Sequence, residues 1–365
     1  MSVPALRRRS RLFLIGTGLL VTIALVVGYA TWDTRSLDTS SKTAAVKVIA
    51  FGSCNKQYKE QPLWAPIRSH DPDVWIWLGD NVYADTEDMS KMRSIYEQQR
   101  AKTGYAALRA KTNVIGTWDD HDYGVNDGDR TYPKRNESQR LFLDFLDVPP
   151  DDPRRQREGV YSEHSYGPPD QRVKVILLDT RYHRDTLQYL GESDRLYAPR
   201  PGGDLLGETQ WTWLERELRD TGAQVHVIGT SIQAVGAEHR WEKWADFPDA
   251  RQRLFDVIRA SEAPGVVLIS GDRHRGELSR HDDAIGYPLY ELTSSGLTHF
   301  SPSPGEVNRH RVGHLVQALH FGLLTFDFEA PDPTIRFQLR GAGDTLLLDH
   351  SVPLSTLHSG DNGQR

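Results

Sequence analysis

Six short apolar runs, each ending in a polar motif, constrain this chain more than any other feature. Val46–Phe51 leads into Gly52-Ser53-Cys54-Asn55, Val74–Leu78 into Gly79-Asp80-Asn81, and Val114–Trp118 into Asp119-Asp120-His121-Asp122. Val173–Leu178 leads into Asp179-Thr180-Arg181, Val225–Gly229 into Thr230-Ser231, and Val266–Ile269 into Ser270-Gly271-Asp272-Arg273-His274. Runs this short and this rich in β-branched residues read as buried strands. Between them, Asn136–Leu146, Glu208–Leu218 and Asp249–Ile258 carry apolar residues at helical spacing. The alternation predicts an α/β fold. The last third differs. Leu289–Leu292, Leu323–Phe328, Thr334–Leu339 and Thr345–His350 read as strands joined by short turns, an antiparallel ending to the sheet system.

Ligands of α/β sheets bind just beyond the carboxyl ends of the strands. Cys54, Asp80, Asp119, Asp120, His121, Asp272 and His274 all fall at such ends and are expected to converge on one site. Each alone has a plain explanation as a turn residue or helix cap. Together, packed carboxylates would repel one another unless cations lay among them, so the set reads as a multi-metal site. Carboxylates suit Ca²⁺, Mg²⁺ or Mn²⁺. A thiolate with carboxylates and the Tyr83 phenolate suits Fe³⁺ or Zn²⁺, and zinc alone would prefer more His and Cys.

Charge and composition close off other classes. The formal net charge is −6, against a broad basic nucleic-acid-binding face. The single cysteine, Cys54, excludes an intramolecular disulfide framework. Arg7, Arg8, Arg9 and Arg11 precede an uncharged stretch from Leu12 to Ala30, the layout of a secretory signal or an uncleaved anchor. The positive-inside rule then places the rest of the chain outside the cytoplasm, at a periplasmic or extracellular face, with residues 12–30 as the candidate inner-membrane anchor. Beyond residue 30 the chain carries 40 basic and 50 acidic residues, a body better suited to cations than to phosphate polymers. Residues 31–45 read as a linker, 46–350 as the folded domain and 351–365 as a tail. His310 and His314 would share a face on a helix, but no Glu follows His310 and a structural role is the better reading.

The blocks Phe51-Gly52-Ser53-Cys54-Asn55, Gly79-Asp80-Asn81-Val82-Tyr83, Trp118-Asp119-Asp120-His121-Asp122 and Ser270-Gly271-Asp272-Arg273-His274 occur in an order that resembles the alkaline phosphatase D family, the PhoD-like metallophosphatases. Leu178-Asp179-Thr180-Arg181-Tyr182 and Thr293–His299 extend the resemblance, which runs from about Val46 to Phe328. It implies a calcineurin-like four-layer α/β/β/α sandwich with two facing sheets, and phosphomonoester or phosphodiester hydrolysis with Fe³⁺ plus Ca²⁺, another divalent metal being an alternative. By resemblance, Cys54 and Tyr83 are iron ligands, Asp80 bridges two metals, and Asp120, Asp272 and His274 are further ligands. His121 acts beside the leaving group and Arg181 holds the substrate phosphate. Arg273 is a second candidate for phosphate contact, with an ion pair as its alternative. Asp120 stands where the wider superfamily has Asn, and Thr230-Ser231-Ile232-Gln233 stands where it has a metal-binding His.

The expected function is an exported metal-dependent phosphoesterase acting on small-molecule phosphate esters. The competing readings are a phosphodiesterase of phospholipid headgroups, which an anchor would favour, and a non-catalytic exported metal-binding protein.

Overall fold

The computed structural model describes residues 44–220, 222–302 and 305–358. The basic cluster, the apolar run and most of the linker lie outside the described residues. Among the described residues no helix is long and apolar enough to cross a membrane.

Fifteen strands among the described residues form two large sheets and a small ribbon. The first sheet is built from β1 (Val48–Gly52), β2 (Val74–Leu78), β3 (Asn113–Thr117), β13 (His320–Asp327), β14 (Thr334–Gly341) and β15 (Leu346–Pro353), in the order β15-β14-β13-β1-β2-β3. The second holds β4 (Ser162–Tyr166), β5 (Val173–Leu177), β8 (Val225–Thr230), β9 (Val266–Ser270), β10 (Gly276–His281), β11 (Leu289–Ser294) and β12 (Arg311–Val316), in the order β12-β10-β11-β9-β8-β5-β4. β6 (Gln188–Tyr189) and β7 (Tyr197–Ala198) pair as the ribbon.

β1, β2 and β3 are parallel, as are β5, β8, β9 and β11. Parallel strands need cover on both faces, which is why these segments read as unbroken apolar runs. In β2 the pleat sends Val74, Ile76 and Leu78 into a core shared with Val175, Leu177, Val227, Ile269 and Leu292 of the second sheet. The two sheets therefore face each other. Trp75 and Trp77 point the other way. There they meet Trp64 of α1 (Trp64–Ser69), Tyr96 of α2 (Met89–Arg100), Tyr105 of α3 (Thr103–Arg109) and Phe145 of α5 (Arg135–Phe145). On the outside of the second sheet lie α6 (Gly207–Arg219) and α7 (Pro248–Ser261), whose Trp211, Leu214, Leu254 and Ile258 are buried.

Asp120–Tyr123 forms a one-turn helix, α4, directly after the third apolar run. Two differences from the sequence reading stand out. Strand β15 runs to Pro353, and Leu354 and Leu357 are buried, so the folded domain extends beyond residue 350 into the expected tail. His310 and His314 do not share a helix, because Arg311–Val316 is a strand.

Candidate metal centre

The C-terminal ends of β1, β2, β3 and β9 meet at one edge of the paired sheets. The segments leaving β1, β2 and β9 do so through unusual backbone. Among the described residues ten non-glycine residues have positive φ, Cys54 (60°), Asp80 (49°), Asp272 (66°) and His274 (52°) among them. Left-handed backbone at a residue with a Cβ is costly and clusters at functional sites. The glycines before two of them are sterically required. A Cβ on Gly79 would lie 2.4 Å from the Asp119 Cβ, and one on Gly271 2.6 Å from the Leu78 carbonyl oxygen.

The side chains form two groups that share one carboxylate. Donor atoms of Cys54, Asp80 and His274 lie within 4.8 Å of one another, as do those of Asp80, Asp120 and His121. Tyr83 joins the first group. Its hydroxyl lies 2.8 Å from Asp80 Oδ2 and 3.2 Å from His274 Nε2. Cys54 Sγ lies 3.5 Å from Asp80 Oδ2. Adjacent donors around one octahedral ion with bonds of about 2.0–2.1 Å sit roughly 2.9 Å apart, so these separations fit a single cation. Asp80 Oδ1 is buried and has no hydrogen-bond partner among the described residues, as a carboxylate poised between two cations requires. A third group, Asp120, Asp127 and Glu242, also falls within 4.8 Å.

Electrostatics agree. Burial, then repulsion from Asp80 and Asp272, pushes the Cys54 thiol well up. Burial and Asp80 do the same to Tyr83. Burial pushes Asp272 up to about 7, with Asp120 and Glu242 adding to it. Burial would lower His121, but Asp80, Asp120 and Asp85 outweigh it and raise the imidazole to about 11. Without cations, then, protons carry the compensation. Two cations would release them and let thiolate, phenolate and carboxylates ligate. The first donor set mixes sulfur, phenol, carboxylate and imidazole, while the second is richer in carboxylate.

A buried polar scaffold holds the loops. The Asp122 carboxylate accepts from the Asp119 N–H at 2.6 Å, the Asp80 N–H at 3.2 Å and the Asn81 N–H at 3.3 Å, tying β3's exit to β2's. Ser295 Oγ lies 3.0 Å from Cys54 Sγ and accepts the His274 N–H at 2.7 Å. Asp85 faces His121 Nδ1.

The structure thus brings together Cys54, Asp80, Tyr83, Asp120, His121 and His274. Asp272 stands near enough for Asp120 to raise it, yet outside the compact groups. The two arginines read as phosphate contacts are placed differently. Arg181 is fully buried, and its guanidinium binds Asp119 (2.5 Å) and Glu242 (2.8 Å). Arg273 is 3% exposed and engages Gln233 at 3.0 Å and Glu306 at 2.7 Å. Arg273 thus fits the ion-pair alternative, and the Arg181 guanidinium sits between Asp119 and Glu242. Sequence reasoning missed Asp85, Ser295 and His299, whose Nε2 lies 3.2 Å from the Tyr83 hydroxyl. Ser295 and His299 lie inside the Thr293–His299 segment that carried the resemblance, but nothing in the residues alone marked their roles.

Two opposed sheets with helices outside, and a carboxylate-centred cation site at the strand ends, define the metallophosphatase class of α/β folds. Within that class the chain belongs to the PhoD-like phosphatase family, whose family model matches residues 49–321. Alkaline phosphatase D of Bacillus subtilis (strain 168) is 23% identical over an alignment covering 72% of this chain and 51% of that protein. The chain therefore spans about half the length of that curated relative. A solved structure of PhoD superposes with a TM-score of 0.66 at 17% identity, covering 85% of this chain and 69% of that one. A purple acid phosphatase from yellow lupin (Lupinus luteus) seeds gives 0.54 at 11% identity, covering 86% of this chain and 54% of that one. These two likenesses speak to the fold.

Proposed function

We propose that this chain is an exported metal-dependent phosphoesterase that hydrolyses small phosphate esters. The observation that carries the proposal is Asp80, shared between two donor groups at the strand ends. Cys54, Asp80, Tyr83 and His274 would hold one ion, proposed as Fe³⁺. Asp80 and Asp120, with Asp272 completing the set, would hold the other, proposed as Ca²⁺. When bound, the cations supply Lewis-acid charge neutralisation and water activation. The chain's own part is to orient and to move a proton. Asp85 fixes Nδ1 of His121, so Nε2 faces the site and donates to the departing alkoxide. Arg181 keeps Asp119 in place, and Asp122 then holds the β2 and β3 exits in register. Export rests on Arg7–Arg11 and the uncharged run to Ala30.

The test is elemental analysis of the purified chain together with chelator-titrated turnover of an aryl phosphate. Iron plus calcium, a visible tyrosinate-to-iron band and activity lost on chelation are expected. Zinc alone would overturn the metal assignment, and chelator-insensitive turnover the reaction. For export, a reporter enzyme active only outside the cytoplasm is fused after residue 45. Activity of the fusion is expected, and silence would overturn the placement.

A further inference from the structure

Arg181 and Arg273 are both engaged by carboxylates, so a cationic side chain with no such partner is the better candidate to meet a phosphate. One stands two residues after Cys54. The Lys56 N–H donates to Thr298 Oγ1 at 2.7 Å, and the Thr298 hydroxyl donates to the Cys54 carbonyl oxygen at 3.1 Å. Thr298 so fixes the start of the Lys56 stem against the Cys54 loop. The ammonium nitrogen then lies over the Tyr83 ring, 4.8 Å from its centroid. The hydroxyl of that ring is the one that touches Asp80 and His274. Lys56 is half-buried, and among the described residues no carboxylate lies within ion-pair distance of it.

An ammonium without a counter-ion, beside a cluster of carboxylates and yet paired to none of them, is suited to an anion delivered from outside. We infer that Lys56 is the substrate-binding residue that takes a non-bridging phosphate oxygen, and that it favours the dianion of a phosphomonoester over the monoanion of a diester. The inference rests on the phosphoesterase reading above. A charge-assisted hydrogen bond to a phosphate oxygen is the stronger kind, and the second negative charge of a monoester strengthens it further. If Lys56 did no more than cover the Tyr83 ring, removing its charge while keeping its stem would change little.

The experiment uses the metal-loaded full chain with a mono-aryl phosphate, a bis-aryl phosphate and inorganic phosphate as inhibitor. Lys56→Met keeps an apolar stem over the ring, and Lys56→Arg restores the charge. Lys56→Met is expected to raise KM for the monoester and weaken phosphate inhibition by about 10- to 100-fold. It is expected to change the diester KM by about threefold or less, with metal content unchanged. Lys56→Arg is expected to recover most of the loss. Unchanged phosphate inhibition in Lys56→Met would overturn the inference, as would equal losses on both esters accompanied by loss of metal. A parent chain that turns over neither ester would instead overturn the phosphoesterase reading.

Discussion

Asp85 presents both carboxylate oxygens to His121 Nδ1, at 2.7 and 2.9 Å. A ring nitrogen of His121 also lies within 4.8 Å of the Asp80 and Asp120 carboxylates. The same ring stacks on Tyr83 with centroids 4.2 Å apart, which fixes its plane. An imidazole held this way is a proton donor with a set direction. His121→Ala is therefore expected to lower kcat on alkyl phosphates by about 10²–10⁴-fold with metal content retained. Asp85→Ala should cost less, about 10- to 100-fold. On nitrophenyl esters, which leave without a proton, both losses should shrink. Loss of metal from His121→Ala would make His121 a ligand instead.

Arg181 touches Asp119 and Glu242 with no atom exposed to solvent, and Arg184 reaches the same Glu242 at 2.8 Å. Removing one partner from such a buried group leaves uncompensated charge and costs about 3–5 kcal/mol. Arg181→Ala should lower the urea midpoint accordingly. Arg181→Lys should recover little, since one ammonium does not reproduce a guanidinium fork spanning two carboxylates. A phosphate contact predicts the opposite pattern: raised KM at unchanged stability.

The surroundings of Arg181 were not legible in the sequence. Val74–Leu78 and Val266–Ser270 are legible because a strand buried on both faces must be apolar throughout, and the Gly-Asp after each is a local signature. The edge strand Ser162–Tyr166, and β10 and β12 at the other end of its sheet, are not, because they carry His, Glu and Arg that only tertiary pairing satisfies. Glu277 of β10, for example, is buried against Arg311 of β12 at 2.7 Å. The site divides in the same way. Cys54, Asp80 and His274 announce themselves at strand ends, whereas Asp85 acquires its role from a partner 36 residues away and Ser295 from one 241 away. The Arg181 motif displays an arginine at a strand end but not the Glu242 that meets it.

Asp80 is the only one of the two groups' members common to both. Asp80→Asn should therefore deplete both ions, whereas Cys54→Ser should deplete one and leave the second near its parent level. Elemental analysis after dialysis separates the two outcomes. Depletion of a single ion in Asp80→Asn would dismiss the bridging role.

Ser295 contacts Cys54 Sγ and receives the His274 N–H, so it positions two donors of the same ion without ligating it. Groups in that position are worth about 10- to 100-fold in metal affinity. Ser295→Ala should weaken binding at the first position by that factor, read by competition with a chelator, and leave the second unchanged. Equal weakening at both would point to a general loss of structure.

The metal-free chain should have a stability maximum near pH 6–7. On the alkaline side, His121 is raised to about 11 by Asp80, Asp120 and Asp85 against burial. Its contribution is complete below the ordinary value of 6.5 and is lost as the pH rises through 11. Asp122 and Asp272, pushed up to about 7 by burial, act in the same sense at lower pH, and their contribution is gone above 7. On the acid side, burial holds His274 and His320 near 4 and His299 near 3. Those contributions are present above 6.5 and are lost as the pH falls through 3–4. Bound cations would replace the alkaline protons, so the loaded chain should hold its melting temperature between pH 6.5 and 9 while the chelated chain declines. Thermal unfolding at pH 5, 6.5 and 9, with and without chelator, checks this. A chelated chain that gains stability from pH 6.5 to 9 would show that the site's negative charge is not what protons and cations compete to neutralise.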